Sequence, residues 1–187
     1  MVDFLIACLG NPGVEYAHTR HNVGFMVAEK LIEDFGNKFQ KLEGGALCCK
    51  GNISGREVLI ARPQCFMNVS GGPVKNLMAS YKLNVKQLLV VHDELDLQLG
   101  QIRIKSGGGE AGHNGLKSIS AKLGTKDYTR LRIGIGRPQG QTSVSDYVLS
   151  VPKKTELQDY EMLIARAAEI VRYYIEEGLT NTQQKFN

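Results

Sequence analysis

The chain has 187 residues, of which 42% are hydrophobic and 22% charged, and its formal net charge is +4. This composition supplies one hydrophobic core, and the mild positive charge is compatible with an anionic partner without requiring one. No apolar run approaches the length of a membrane span, and the start lacks the basic, long apolar pattern of a signal peptide, so we expect a cytoplasmic protein and no membrane partner.

Short apolar runs that are rich in branched residues and bounded by glycine or proline predict strands. In chain order they are Phe4–Leu9, Ala46–Ile53, Glu57–Ala61, Leu88–Val91, Gln101–Lys105 and Leu131–Ile135. Apolar residues at helical spacing predict helices at Val27–Phe35, Val74–Tyr81, Leu116–Leu123 and Thr155–Glu177. Gly178 suits the C-terminal cap of the last helix.

The alternation of strands and helices predicts an α/β fold. We expect a single domain over residues 1–187, with a mixed, mostly parallel twisted sheet flanked by helices. The second and third strands are separated only by Ser54-Gly55-Arg56, which predicts an antiparallel hairpin.

Polar loops follow the predicted strands, and ligands of open α/β sheets bind at the carboxyl ends of strands. These loops bring one histidine, one aspartate and three side-chain amides toward one edge of the sheet: His21, Asp93, Asn11, Asn68 and Asn114. Two of the amides have a simpler alternative. Asn11 before Pro12 suits a turn, and Asn68 suits the cap of the helix that follows.

Asp93 is the most informative of these residues because an unpaired buried charge is costly. Since it follows a buried strand, it needs a partner. A histidine oriented by such a carboxylate is a general base, and we infer that His21 pairs with Asp93. The remaining alternative for His21 is a structural hydrogen bond at the start of a helix.

Three other chemistries fit the sequence less well. Gly107–Gly112 has the spacing of a dinucleotide loop, but it lies mid-chain and the next strand is not followed by an acidic residue. The acidic run His92–Asp96 alternates faces on an extended segment, so its side chains cannot converge on a metal. Cys65 and Ser70 have no local base, and the four cysteines form no Cys-x-x-Cys pair. We therefore expect water as the nucleophile, with no metal and no cofactor.

Taken together, these loops resemble those of bacterial-type peptidyl-tRNA hydrolases, and the resemblance covers nearly the whole chain. The segments that carry it are Gly10–Gly13 with Tyr16, Thr19–Asn22, Phe66–Asn68 with Ser70-Gly71, His92–Asp96, Gly107–Gly115, and Gly178–Thr180 with Phe186-Asn187. The order and combination of these motifs are specific, although each one alone is weak.

The resemblance implies a monomeric enzyme that hydrolyses the ester between a peptide and the 3′-terminal ribose of tRNA, so its partner is peptidyl-tRNA. It implies that His21, oriented by Asp93, activates water, with Asn11 and Asn68 also in the catalytic set. The substrate-binding residues that it implies are Tyr16, Met67, Asn68, His113 and Asn114.

The resemblance also implies a clamp on the 5′ phosphate of tRNA, formed by Lys105 and Arg132. Their two predicted strand segments need to be neighbours for this clamp to form. The alternative function is that of a non-catalytic RNA-binding protein, such as the splicing factors that share this fold.

Overall fold

The computed structural model describes residues 1–39 and 41–187. Within them, one sheet contains the strands β1 (Phe4–Cys8), β2 (Lys41–Glu43), β3 (Ala46–Ile53), β4 (Arg56–Pro63), β5 (Leu88–Glu94), β6 (Ile102–Ser106) and β7 (Thr129–Gly134). The α-helices are α1 (Val23–Asp34), α2 (Gly71–Ser80), α3 (Asn114–Leu123), α4 (Val144–Val148) and α5 (Leu157–Phe186). None of these helices is long and apolar enough to cross a bilayer.

The strand order is β2-β3-β4-β1-β5-β7-β6. The four central strands β4, β1, β5 and β7 are parallel, and the outer pairs β2–β3, β3–β4 and β6–β7 are antiparallel. The predicted fold class is therefore confirmed, with the parallel pairing in the centre of a mixed sheet. The predicted hairpin is confirmed as well, and its loop is Ser54-Gly55, both with positive φ, as tight hairpin turns require.

Alternate residues of the central strands face two separate layers of helices. In β1, Ile6 and Cys8 pack with α1 and α5, whereas Leu5 and Ala7 pack with α2 and α3. Because successive side chains of a strand point to opposite faces, a fully apolar β1 needs helices on both sides. This sandwich leaves the carboxyl ends of the central strands as the edge where loops can form a site.

Gly24 allows the first turn of α1 to approach that edge closely. A Cβ at this position would lie 2.5 Å from the carbonyl oxygen of Leu9 and 2.6 Å from that of Val91. Both are backbone atoms, which cannot move aside as the end of a flexible side chain can. The absence of a side chain at Gly24 is therefore what seats the start of α1 against β1 and β5.

The C-terminal helix differs from the prediction. Gly178 has φ 80° and ψ 177°, so it interrupts the helical backbone as expected of a cap, but helix resumes and continues to Phe186. The extension is held at β6, where Asn187 accepts from the N–H of Ile104 and donates to its carbonyl, both at 2.8 Å. These bonds satisfy backbone groups on the outer side of an edge strand.

Candidate active site

The turn that carries His21 is fixed to the end of β1 by two buried asparagines. The N–H of Asn11 donates to Oδ1 of Asn22 at 2.9 Å, and Nδ2 of Asn22 donates to the carbonyl of Asn11 at 2.8 Å. His21 directly precedes Asn22 in a 3-10 turn, Arg20–Asn22, which leads into α1. The backbone of His21 is thus held by hydrogen bonds on one side and by the packing of α1 on the other.

His21 and Asp93 form the pair that the sequence predicts. Nδ1 of His21 lies 2.8 Å from Oδ2 of Asp93, whose side chain is only 2% exposed. An ionised carboxylate can only accept, so the proton of the neutral imidazole is on Nδ1. Nε2 of His21 then carries a lone pair, and none of the described residues hydrogen-bonds to it.

His113 occupies the other oxygen of Asp93. Its Nε2 lies 2.8 Å from Oδ1 of Asp93, and its Nδ1 accepts from the backbone N–H groups of Gly115 and Leu116 at 3.1 and 3.3 Å. His113 is the N-cap of α3, so its side chain satisfies two of the N–H groups that a helix start leaves unpaired. Both nitrogens of this ring are thus occupied within the protein.

The electrostatics of the network favour a charged Asp93 and a basic His21. Burial alone would raise the pKa of Asp93, but the charge and hydrogen bond of His21, together with the hydrogen bond from His113, hold it well below its usual range. Burial works to lower the pKa of His21, but the charge and hydrogen bond of Asp93 outweigh it and raise this pKa above 6.5. A neutral His21 is therefore a stronger base than a free imidazole.

The network opens into a cleft of about 330 Å³. Its polar lining includes Asn11, His21, Asp93 and His113. Apolar side chains from two segments flank this polar centre: Phe66 and Met67 after β4, and Val144, Val148 and Leu149 in and beside α4. Such a mixture of an apolar wall and a few convergent polar groups is typical of a small-molecule or peptide site.

The three candidate amides lie in different environments around the cleft. Asn11 is buried, it lines the cleft, and its Oδ1 accepts from the N–H of Met67 at 2.7 Å, so its NH₂ group is left as a donor. Asn68 and Asn114 are exposed at the rim. Tyr16 lies farther out, with its ring edge-on to Phe66 at a centroid distance of 6.3 Å.

The chain matches a known protein family along nearly its whole length. The family model for peptidyl-tRNA hydrolase matches residues 5–187. The chain belongs to the peptidyl-tRNA hydrolase family.

The relatives match along nearly their whole length. A peptidyl-tRNA hydrolase of Streptomyces coelicolor is 47% identical over 190 residues, covering 98% of this chain and 94% of the relative. The peptidyl-tRNA hydrolase of Rhodococcus erythropolis is 46% identical over 184 residues, covering 98% and 97%. A crystal structure of peptidyl-tRNA hydrolase from Acinetobacter baumannii superposes with a TM-score of 0.91 at 35% identity, covering 99% of this chain and 95% of that chain.

In this member of the peptidyl-tRNA hydrolase family, Lys105 and Arg132 lie on neighbouring antiparallel strands, β6 and β7. Partial burial and the charges of Arg132 and Arg130 lower the pKa of Lys105, as expected for cations crowded on one face of a sheet. Nε of Arg132 donates to Oε1 of Glu94 at 2.8 Å, and buried Arg130 donates to the carbonyls of Gly108 and Gly109. Neither Lys105 nor Arg132 lines the cleft.

The acidic run diverges, as its alternation predicts. Glu94 pairs with Arg132, and Asp96 pairs with Arg137 at 2.5 Å. The nitrogen and oxygen atoms of His21, Asp93 and His113 do lie within 4.8 Å of one another. However, the N–H groups that donate to Nδ1 of His113 keep its proton on Nε2, so this nitrogen has no lone pair for a metal ion.

The other two alternatives also meet physical obstacles. A pyrophosphate at the start of α3 would need N–H groups that His113 already occupies. Burial raises the pKa of Cys65, which keeps its thiol protonated, and the hydroxyl of Ser70 donates to the carbonyl of Met67 at 2.8 Å. A protein nucleophile therefore lacks the activation that such chemistry requires.

Sequence reasoning missed several residues of this peptidyl-tRNA hydrolase site. Asn22 follows His21 directly in the sequence, but its hydrogen bonds to Asn11 could not be predicted, because they close a loop whose path the sequence does not reveal. The short helix α4 has only five residues, too few to show helical spacing of apolar positions in the sequence. Its one signal is the N-cap Ser143, whose side chain accepts from the N–H of Asp146. Buried Arg20 binds Glu156 and the carbonyl of Val151, so it joins the His21 turn to the segment between α4 and α5.

Proposed function

We propose that this chain hydrolyses peptidyl-tRNA, with His21 as the general base that activates water. The observation that carries the proposal is the 2.8 Å hydrogen bond between His21 and buried Asp93 at the wall of the cleft. It fixes the proton of His21 on Nδ1 and leaves Nε2 to accept a proton. Membership of the peptidyl-tRNA hydrolase family supports peptidyl-tRNA as the substrate.

The reaction follows from this arrangement. Nε2 of His21 takes a proton from water as the water oxygen attacks the ester carbonyl carbon. The tetrahedral intermediate carries a negative oxygen, for which the NH₂ groups of Asn11 and Asn68 are donors. When the bond between carbon and ribose oxygen breaks, His21 gives its proton to that oxygen, which leaves as a ribose hydroxyl. The products are a free peptide carboxylic acid and tRNA, and Asp93 stabilises the transient imidazolium.

Substrate binding is divided between the cleft and the β6–β7 face. The peptide lies against Met67 and the apolar walls, with Tyr16 at the outer end and Asn114 at the rim. Because the peptide varies between substrates, amides that donate and accept without adding charge suit its backbone. The 5′ phosphate of tRNA is held by Lys105 and Arg132 outside the cleft. We also propose that the enzyme is a cytoplasmic monomer with one domain over residues 1–187.

The test uses N-acetyl-aminoacyl-tRNA and follows the release of free tRNA. His21→Ala lowers kcat by about 10² to 10⁴ while tRNA still binds, because general-base catalysis is removed. His18→Ala, an exposed histidine three residues earlier, is the matched control and keeps the wild-type rate. The wild-type rate rises with pH through an ionisation above 6.5, since the pKa of His21 is raised and only its neutral form is active.

Two results would overturn the proposal. Near-normal turnover in His21→Ala would remove the base from His21. Tight binding of the substrate by the wild-type protein without any release of tRNA would favour the non-catalytic RNA-binding function instead.

A further inference from the structure

We propose that His113 is a positioning residue for catalysis, and that the N-terminus of α3 makes it so by fixing which of its nitrogens carries the proton. This inference rests on the proposed function, because it assigns a second support to the carboxylate that orients His21. It differs from the role of His113 as a substrate-binding residue that the family resemblance implies.

The start of α3 determines the tautomer of His113. Nδ1 lies 3.1 Å from the backbone nitrogen of Gly115 and 3.3 Å from that of Leu116, and both are donors. A nitrogen that accepts from N–H groups cannot carry a proton itself, so the proton of the neutral ring is on Nε2. The partial positive charge at the start of α3 opposes a second proton on Nδ1. The start of the helix therefore makes Nε2 of His113 an obligatory donor.

The Nε2–H donor of His113 restricts the carboxylate of Asp93. Its two oxygens each take one imidazole N–H at 2.8 Å, Oδ1 from His113 and Oδ2 from His21. With one partner on each oxygen, the carboxylate cannot rotate about its χ2 bond without breaking a charge-assisted hydrogen bond. Asp93 is thereby held in the plane in which it orients His21. Outer residues of this kind commonly fix the groups that act on substrate.

Among the described residues, few other groups near Asp93 could hold its carboxylate. Around Asp93, the charged or titratable groups are His21 from the turn before α1, His113 from the loop before α3, His92 and Glu94 from β5, and Arg130 from β7. His92 uses Nδ1 on the backbone carbonyl of Asp93, at 2.7 Å, and not on its carboxylate. Glu94 is paired with Arg132. Only His21 and His113 donate to the carboxylate of Asp93 within the described residues.

The two contacts of His113 are separable by substitution. His113→Asn retains an N-cap, since asparagine accepts from the first N–H groups of a helix, but its shorter side chain does not reach Asp93. His113→Ala removes both contacts. If the cap alone matters, asparagine restores function. If the donor to Asp93 matters, asparagine restores thermal stability but not catalysis.

The experiment measures kcat, KM and their pH dependence on a CCA-peptide fragment, together with the NMR titration of His21. In His113→Asn we expect kcat to fall by about 10- to 100-fold with KM nearly unchanged. We also expect the pKa of His21 to rise, because Asp93 loses a donor that withdraws its charge. The Tm of His113→Asn lies closer to wild type than that of His113→Ala.

An unchanged His21 titration and kcat in His113→Asn would overturn the inference and leave His113 as a helix cap. A raised KM with an unchanged kcat and pH profile would instead make His113 a substrate contact. The NMR titration needs no turnover, so it tests the link from His113 to His21 even if His21→Ala were to show that the base is another group.

Discussion

Asn11 uses its backbone and side chain for different tasks. Its backbone pairs with Asn22, its Oδ1 anchors the N–H of Met67, and its NH₂ group is left as a donor in a residue that lines the cleft. The bond from Met67 decides the orientation of the amide, because an N–H donor needs the oxygen and not the nitrogen opposite it. Asn11 thus enters the cleft as a donor whose direction is fixed by the fold.

The candidate amides should consequently respond differently to substitution. Asn11→Asp keeps an oxygen for Met67 but replaces the donor by an acceptor, and we expect kcat to fall by about 10² to 10³, as for the loss of an oxyanion donor. Asn68→Ala should also lower kcat, whereas Asn114→Ala should mainly raise KM, as loss of uniform binding does. Steady-state kinetics on N-acetyl-aminoacyl-tRNA measure both constants. Normal kinetics in all three variants would remove the amides from the site.

The His21–Asp93 pair was predictable because a buried carboxylate needs a partner and few groups in the loops could supply one. The second partner was not predictable from the same argument. His113 stands beside Asn114 in a glycine-rich segment, and nothing in the sequence shows that its ring turns back onto the start of its own helix. Whether a side chain faces the substrate or the protein depends on backbone dihedral angles, here those of an extended N-cap with φ −70° and ψ 113°.

At the level of elements, the position of His21 depends on how closely α1 meets the sheet. Gly24→Ala places a Cβ against the carbonyls of Leu9 and Val91, so α1 must shift and carry the His21 turn with it. We expect a fall in both the free energy of unfolding and kcat, since a misplacement of 1 Å can cost about 10² in rate. Gly72→Ala is the matched control, because a Cβ there meets nothing within 4 Å.

Gly24→Ala and Gly72→Ala are compared by urea unfolding and by kcat, measured on the same preparations. Gly72 lies in α2, where alanine is the better helix former by about 0.5–1 kcal/mol, so this variant should be as stable as wild type or more so. Equal stability and activity in the two variants would show that the close approach of α1 does not position His21.

The strands β6 and β7 supply the proposed phosphate clamp. Lys105→Ala and Arg132→Ala should raise KM for full-length peptidyl-tRNA and leave kcat almost unchanged, because these contacts position RNA without meeting the ester. Removal of the 5′ phosphate from tRNA should cause a similar loss in the wild-type enzyme. A double cycle of mutation against phosphate removal should be strongly non-additive, since each change deletes one side of the same contact.

Hydrolysis of a CCA-peptide fragment is the internal control for the clamp, because this substrate has no 5′ phosphate and should not respond to either mutation. Losses that simply add in the double cycle would place the phosphate elsewhere. Glu94 also bears on the result, because it holds Nε of Arg132 and leaves the two Nη atoms for a phosphate.

Across the whole molecule, the sequence predicted the alternation of strands and helices better than the points at which these elements end. Central strands such as Leu88–Val91 are continuous apolar runs because helices cover both faces, and this pattern is visible without a structure. The end of α5 was not visible in this way. Gly178 does leave the helical conformation, but whether a chain stops or resumes after a glycine depends on distant contacts, here those of Asn187 with the edge of β6.

The acid stability of the whole molecule should depend on His92. This side chain is fully buried between the sheet and α3, and above all this burial lowers its pKa to about 3. The unfolded chain binds a proton at His92 near pH 6.5, whereas the folded chain does not until about pH 3. Stability is therefore unaffected by His92 above pH 6.5 and falls as the pH decreases below it.

His92→Asn tests this dependence, because asparagine keeps an N–H donor for the carbonyl of Asp93 but does not titrate. The free energy of unfolding is measured in urea at several pH values between 6.5 and 5, above the range in which carboxylates protonate. The wild-type slope should exceed that of the variant by up to about 1.4 kcal/mol per pH unit, the limit for one proton. His21 does not contribute to this difference, because it is present and titrates in both proteins. His92→Asn can change the overall stability without affecting the test, because only the slope of the free energy of unfolding against pH reports proton uptake by His92. Equal slopes in the two proteins would mean that His92 is protonated in the folded state, which would require an acceptor for its buried Nε2–H that the described residues do not provide.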